Sequence, residues 1–275
     1  MKTINGFLSN TQNVMNKTYF LLAVCGLLLM CISCHKKQEN NSQQEKKEAI
    51  IVVQDLSMSL NPSSSEITQE RKFVTKFLEE GMSPNMDLMV FYANATSNSV
   101  TNNFKVEWKV SEKESTGYQS KSDKMLEESA MESENEEQKS AMIGKLCKKL
   151  FDEMPKQKSS QTEIIELIAE FEKLNGQYSN IKVLFISDMV QSSNLSNWDS
   201  DFPKDKKDAE SKAQRDTEKL KKVFGISDSA LSKVSKISVL IPASVDRQKT
   251  ITPQYFYHKL FGNLGYSKPI EWKSL

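Results

Sequence analysis

Oxygen-bearing side chains follow an apolar segment in the first quarter of the chain. Residues 49–53 are Ala-Ile-Ile-Val-Val, and Asp55, Ser57 and Ser59 come next at alternate positions. Because side chains two residues apart project the same way from an extended backbone, one carboxylate and two hydroxyl groups can converge on one point. Hard divalent cations prefer such oxygen ligands. The pattern predicts a cation site, although an ordinary strand-to-helix loop is also rich in Asp and Ser.

Two later loops carry oxygen side chains that could complete the site. Thr162 lies in a polar loop, residues 156–163, that leads into an amphipathic segment at 164–174. Asp188 follows the apolar segment 181–186 after a single serine. Helix capping alone would also explain the threonine, and an Asp at the end of a strand is often only a loop residue. The two residues belong to the candidate site only if the fold brings their loops together.

The residue types argue against several common kinds of site. No glycine lies between Gly26 and Gly81, so the first strand lacks the glycine-rich turn of a dinucleotide or P-loop site. His258 is the only histidine after the N-terminal region, and no Gly-x-Ser-x-Gly motif accompanies it. An aspartyl phosphotransferase would normally have a second Asp where Ser57 stands. The chain has 37 Lys and Arg against 36 Asp and Glu, so nucleic-acid binding is not expected.

Alternating strands and helices must position these loops. Apolar and alternating segments predict strands at 49–54, 87–92, 104–110, 181–186, 237–241 and 269–272. The second and third of these could pair as an antiparallel hairpin at a sheet edge. The predicted fold class is α/β, with a doubly wound, Rossmann-like, mostly parallel sheet and one antiparallel edge strand. In such sheets ligands bind beyond the carboxyl ends of the strands, which is where Asp55 and Asp188 fall.

The N-terminal region resembles a bacterial lipoprotein signal. Residues 19–32 form an unbroken apolar stretch of 14 residues, shorter than a membrane span of about 20 and typical of a secretory signal core. The stretch is followed by Ser33-Cys34, like the box in which a lipoprotein cysteine is cleaved and lipidated. The resemblance implies a signal peptide at 1–33 and lipidation of Cys34. A plain signal peptide or a short anchor helix is the alternative.

Two polar segments divide the rest of the chain. Residues 34–48 contain no apolar side chain after the cysteine, which predicts a disordered tether. One folded domain is expected to follow at 49–275. Within that domain, residues 111–139 form a polar, acidic insertion that we expect to be mobile or partly helical.

The pattern of Asp55, Ser57 and Ser59 resembles the Asp-x-Ser-x-Ser opening of a metal-ion-dependent adhesion site in von Willebrand factor A-type domains. That family has a single threonine on a later loop and an acidic residue after the fourth strand, and these positions match Thr162 and Asp188. The resemblance implies a divalent cation, Mg²⁺ first, with Mn²⁺ or Ca²⁺ as alternatives. It also implies that the three hydroxyl groups coordinate directly or through water. The two carboxylates would then hydrogen-bond to the hydroxyls and to bound waters.

The same resemblance implies a non-catalytic, protein-binding module. In that family the bound cation captures a Glu or Asp supplied by a partner protein. Together with the lipoprotein signal, this predicts a lipid-anchored protein of the bacterial cell envelope, at the outer membrane or the periplasmic face. Two alternatives remain open: a metal-dependent hydrolase that uses the same oxygen site, and a metal-free envelope scaffold.

Overall fold

The computed structural model describes residues 47–58, 60, 62–94, 103–109, 120–153, 158–243, 245 and 251–275. The chain divides into two units, Met1–Glu45 and Lys46–Leu275, and every described residue belongs to the second. The predicted signal peptide at 1–33, the lipidation site Cys34 and the tether up to residue 46 lie outside the described residues, as does Ser59. No helix in the described part is long and apolar enough to span a membrane.

Six strands and five helices form the described structure. The strands are β1 (Glu48–Asp55), β2 (Met86–Ala93), β3 (Asn103–Val106), β4 (Asn180–Ile186), β5 (Val234–Ile241) and β6 (Ile270–Ser274). The helices are α1 (Ser64–Gly81), α2 (Lys121–Cys147), α3 (Leu167–Leu174), α4 (Lys206–Phe224) and α5 (Ile251–Asn263). A π-helical turn at Lys148–Asp152 extends α2.

The six strands form one sheet in the order β3-β2-β1-β4-β5-β6. All neighbouring pairs are parallel except β2 and β3, which are antiparallel and place β3 at one edge. The predicted fold class is therefore confirmed: the protein is an α/β, doubly wound, mostly parallel sheet with one antiparallel edge strand. The winding changes direction between β1 and β4, which lie side by side at the centre.

Helices cover both faces of the sheet because the central strands are apolar on both sides. In β1, Ile51 and Val53 belong to the core that also contains residues of α3, α4 and α5. Their neighbours Ile50 and Val52 belong to a second core, shared with α1 and α2. A strand buried on both faces cannot shift its register without loss of packing, so the residue that follows β1 has a fixed position.

In the polar regions, the acidic insertion has the helical structure that was one of its two expected states, and the third strand differs from its prediction. The described part of the predicted insertion, residues 120–139, is helical and begins α2, with Ser120 and Asp123 forming a capping box at its start. Nearly all side chains between 121 and 141 are exposed or half-buried. Apolar periodicity therefore could not reveal this half of the helix. The third strand is also shorter than predicted and ends at Val106.

The buried carboxylate of Asp87 connects several segments at the end of the sheet opposite the candidate site. Asp87, near the start of β2, accepts hydrogen bonds from the Trp108 backbone N–H at 2.9 Å and the Tyr178 hydroxyl at 2.8 Å. Lys47 and Lys105 lie 3.4 and 3.3 Å from its two oxygens. The buried charge thus has cations and donors on all sides, and it links β2 to segments that precede β1, follow β3 and precede β4.

Candidate functional site

The candidate site lies where the winding of the sheet reverses. Asp55 is the last residue of β1, and Asp188 is the second residue after β4. Because β1 and β4 are parallel neighbours, their carboxyl ends lie at the same edge of the sheet. Crevices at this kind of switch point are the usual ligand sites of doubly wound folds.

Asp55 links the loop after β1 to the loop after β4. Its side chain is buried, and one carboxylate oxygen accepts a hydrogen bond from the Ser57 backbone N–H at 2.8 Å. The other oxygen accepts a hydrogen bond from the Ser187 hydroxyl at 2.6 Å. The carboxylate therefore sets the course of the chain at Ser57 and holds the residue that precedes Asp188.

Burial and a second acid make the ionisation of Asp55 more costly. Burial, followed by the nearby Asp188 carboxylate, raises the pKa of Asp55 to about 7. Hydrogen bonds from Ser187 and Ser57 lower it, but by less. A cation bound beside two such groups would favour their charged forms, so this pair is suited to hold one.

Backbone strain and hydrogen bonds fix the position of Asp188. Its Oδ1 atom accepts a hydrogen bond from the Val190 backbone N–H at 2.9 Å. Met189, between these two residues, has a φ of 59° although it is not glycine, and its N–H donates to the Ser187 hydroxyl at 2.8 Å. A buried methionine in this conformation is strained, and such residues concentrate at functional sites.

Backbone pairing holds the three predicted loops together. The Met58 N–H donates to the Ser159 carbonyl at 3.0 Å, which joins the loop after β1 to the loop before α3. Thr162 and Ser192 exchange two backbone hydrogen bonds, of 2.8 and 3.0 Å, which join the second loop to the loop after β4. The loops that carry Ser57, Thr162 and Asp188 thus form one connected layer above the sheet.

Gln191 is a buried residue of this layer that the sequence predictions missed. Its Oε1 atom accepts hydrogen bonds from the Ile164 and Ile165 N–H groups, at 2.9 and 3.2 Å. Its Nε2 atom donates to Glu166 at 2.9 Å and to the Ser193 hydroxyl at 2.8 Å. Gln191 lies in the loop after β4, and its side chain therefore joins that loop to the turn that precedes α3. A single Gln in a polar loop gives no sequence signal of such a role.

A cleft of about 590 Å³ opens at this layer. Ser57, Thr162 and Asp188 all line it, so the fold brings together three predicted site residues that are separated by up to 131 positions in the sequence. Asp55 does not line this cleft; its buried carboxylate is hydrogen-bonded to the Ser57 N–H and to the Ser187 hydroxyl. Ser59, the remaining predicted ligand, is outside the described residues.

The described donor set fits a hard divalent cation. Hydroxyl and carboxylate oxygens are the ligands that Mg²⁺, Mn²⁺ and Ca²⁺ prefer, whereas zinc favours His and Cys. Among the described residues there is no cluster of three or more His, Cys, Asp and Glu side chains that could hold a metal ion. No protein-family model matches the chain, and no curated protein matches it. Any functional proposal therefore depends on the site itself.

Proposed function

We propose that the protein is a von Willebrand factor A-like, non-catalytic binding module that holds a divalent cation and captures a Glu or Asp of a partner protein. The observation that carries the proposal is the meeting of Ser57, Thr162 and Asp188 in one cleft at the switch point of the sheet. The buried Asp55 carboxylate is hydrogen-bonded to the Ser57 N–H and to the Ser187 hydroxyl next to Asp188. The antiparallel strand β3 at the sheet edge also supports the resemblance.

Each residue of the site has a distinct part in this proposal. The hydroxyl groups of Ser57, Ser59 and Thr162 would hold the cation directly or through water, with Mg²⁺ the first candidate and Mn²⁺ or Ca²⁺ the alternatives. Asp55 and Asp188 orient the loops and supply negative charge. The bound cation supplies the positive charge that attracts a carboxylate from the partner.

The described lining of the cleft favours binding over catalysis. Its polar side chains are those of Ser, Thr and Asp, and its described residues include no histidine, cysteine or lysine that could act as a general base or nucleophile. Asp55 is engaged in two orienting hydrogen bonds. A metal-dependent hydrolase at the same site would have to rely on Asp188 or Asp199, the described carboxylates that line the cleft.

One observation favours the metal-free scaffold as the second candidate. Because burial raises the pKa of Asp55 to about 7, this group can take up a proton near neutrality when no cation is present. The site could then persist with little net charge. The two candidates differ in whether a divalent cation stabilises the folded chain.

Thermal unfolding of the full chain, in a mild detergent because residues 19–32 are apolar, tests the proposal. Measurements begin in EDTA and continue with millimolar Mg²⁺ or Mn²⁺. At a cation concentration about 100-fold above Kd, binding stabilises the fold by ~2.7 kcal/mol, which raises the Tm by roughly 5–10 °C. Asp188→Asn should abolish the rise. Asp199→Asn, at an exposed residue of the same cleft, should retain it. If no cation raises the Tm of the wild-type protein, the cation-binding proposal fails and the metal-free scaffold is left.

A further inference from the structure

The cleft is larger than a cation and one carboxylate require. Six oxygen ligands around a Mg²⁺ ion, each taking about the 30 Å³ of a water molecule, fill roughly 180 Å³. The cleft has about 590 Å³. More than half of the space therefore remains for other parts of whatever binds there.

Apolar side chains line this remaining space. Met58, Val190, Trp198 and Phe202 contribute to the lining beside the hydroxyl and carboxylate groups. Met58 follows Ser57 directly and exposes 61% of its surface, which is unusual for a large apolar side chain next to a buried polar one. Val190 and Phe202 are half-buried. Apolar surface thus adjoins the proposed cation position on both the β1 loop and the β4 loop.

The aromatic part of this wall is rigid. Trp198 is buried, and its ring meets Phe202 edge-on at 5.7 Å and Phe256 of α5 at 4.7 Å between centroids. Its indole N–H donates to the Ser196 hydroxyl at 3.1 Å, and its backbone N–H donates to the Gln191 carbonyl at 2.9 Å. A wall held in this way loses little conformational entropy when a ligand contacts it.

The acidic charges of the cleft restrict which groups of a partner can contact its apolar lining. Its described charged side chains are Asp188 and Asp199, both acidic. Asp199 is exposed and accepts a hydrogen bond from the Ser192 hydroxyl at 2.6 Å. A carboxylate of the partner can therefore enter only where the cation offsets this charge, and a second acid beside it would be repelled. An uncharged apolar neighbour fits both the charge and the surface.

We infer that the cleft recognises a partner segment in which one acidic residue is directly followed or preceded by a large apolar side chain. The acid faces the cation, and the apolar side chain lies against Met58, Val190 and Phe202. The inference rests on the proposed function and adds to it the chemistry of the partner. It makes the apolar contact, in addition to the carboxylate, a determinant of which partner binds.

Three blocked peptides with the central sequences Phe-Glu-Phe, Ala-Glu-Ala and Phe-Gln-Phe test this inference. Phe on both sides of Glu covers either order of the two residues. Binding to the full chain in millimolar Mg²⁺ is measured by calorimetry, with the Mg²⁺-dependent Tm rise recorded in the same sample. Phe-Glu-Phe should bind about tenfold more tightly than Ala-Glu-Ala, because burial of one aromatic side chain is worth at least that factor. Phe-Gln-Phe should not bind measurably.

Protein variants show whether the preference arises in this cleft. Met58→Ser should reduce the preference for Phe-Glu-Phe over Ala-Glu-Ala about threefold, and the Mg²⁺-dependent Tm rise of the same variant is recorded to show how far cation binding itself has changed. Met58 is so exposed that its replacement leaves the fold intact. Met125→Ser is the matched control, since Met125 is 65% exposed on α2, and it should change neither quantity.

The possible failures are distinguishable. If Mg²⁺ raises the Tm but the two Glu peptides bind equally, the apolar inference is wrong and the proposed function stands. Equal binding of Phe-Gln-Phe and Phe-Glu-Phe would also overturn the inference, because the acid would then be irrelevant. If Mg²⁺ has no effect on the Tm, the proposed function fails and this inference fails with it.

Discussion

The buried carboxylates of this protein differ in the groups that offset the cost of burying their charge. Asp87 is buried among two lysines and two hydrogen-bond donors. Asp55 is buried with two hydrogen-bond donors and a second acid, Asp188, which with burial raises its pKa to about 7. Glu70 of α1 is buried without a described cation, and burial raises its pKa to about 7 as well. The sequence does not show which of these carboxylates are buried with a cationic partner.

Replacement of Glu70 should change the Tm by an amount that depends on pH, because its buried charge destabilises the fold. Its pKa rises from 4.5 to about 7 on folding, so the folded state binds more protons than the unfolded state between these values. Stability is therefore lost as the pH rises through that window. Glu70→Gln should raise the Tm at pH 8 and change it much less at pH 4.5. Glu80→Gln, at an exposed position of the same helix, should show no such difference, and a similar difference there would contradict the explanation.

Removal of Asp87 should destabilise the fold without affecting cation binding. Asp87→Ala leaves Tyr178 and the Trp108 N–H without their acceptor and two lysines without their counter-charge, so we expect a loss of about 3–5 kcal/mol. Chemical denaturation measures this loss. The Mg²⁺-dependent rise in Tm should persist in the variant, because Asp87 lies near the amino end of β2 and the cleft adjoins the carboxyl ends. A lost response would contradict this separation.

At the scale of elements, the site depends on loops that are tied to one another. The strands could be predicted because β1, β2 and β4 are apolar on both faces, and the ends of β1 and β4 fixed the places of two site loops. The start of α3 could not be predicted from the sequence. The Gln191 side chain accepts hydrogen bonds from the turn before Leu167 and takes the place of the expected helix cap. The hydrogen bond between Ser187 and Asp55 joins residues 132 positions apart and likewise has no local signal.

Replacement of Gln191 should weaken cation binding through the loops. Gln191→Met removes the acceptor of two buried N–H groups and the donor to Glu166, at a cost of about 1–3 kcal/mol for each buried group left unpaired. The Mg²⁺ affinity should fall about tenfold. Asn175→Ala is the matched control, because the side chain of Asn175 donates to the Ala230 carbonyl at 3.0 Å and does not line the cleft. It should lower the Tm and leave the Mg²⁺ affinity unchanged. Equal affinities in both variants would exclude a positioning role for Gln191.

At the scale of the whole molecule, the proposal joins a binding domain to a membrane anchor. The sheet order and the antiparallel edge are those of a doubly wound α/β fold, and the family resemblance seen in five residues of sequence stays a proposal. The polar half of α2 could not be predicted from apolar periodicity, because a helix exposed on all sides needs no apolar stripe. The anchor at Cys34 remains a proposal that rests on the apolar stretch 19–32 and on Ser33-Cys34.

Lipidation of Cys34 can be tested in a bacterial host. Radiolabelled palmitate should be incorporated into the wild-type chain, and the protein should be found in the membrane fraction. Cys34→Ser should abolish both. Cys147→Ser, at a buried cysteine of α2, should abolish neither. Labelling that persists in Cys34→Ser would show that the anchor is wrongly assigned.

The position of a bound cation tests the central claim most directly. Crystals of the protein grown or soaked with Mn²⁺ would give an anomalous difference map in which the ion marks its own site. We predict one strong peak within coordination distance of the Ser57 and Thr162 hydroxyl groups or of waters that they hold, beside Asp188, and no such peak in Asp188→Asn. A map without a peak in this cleft, or with its strongest peak elsewhere on the chain, would contradict the proposed site.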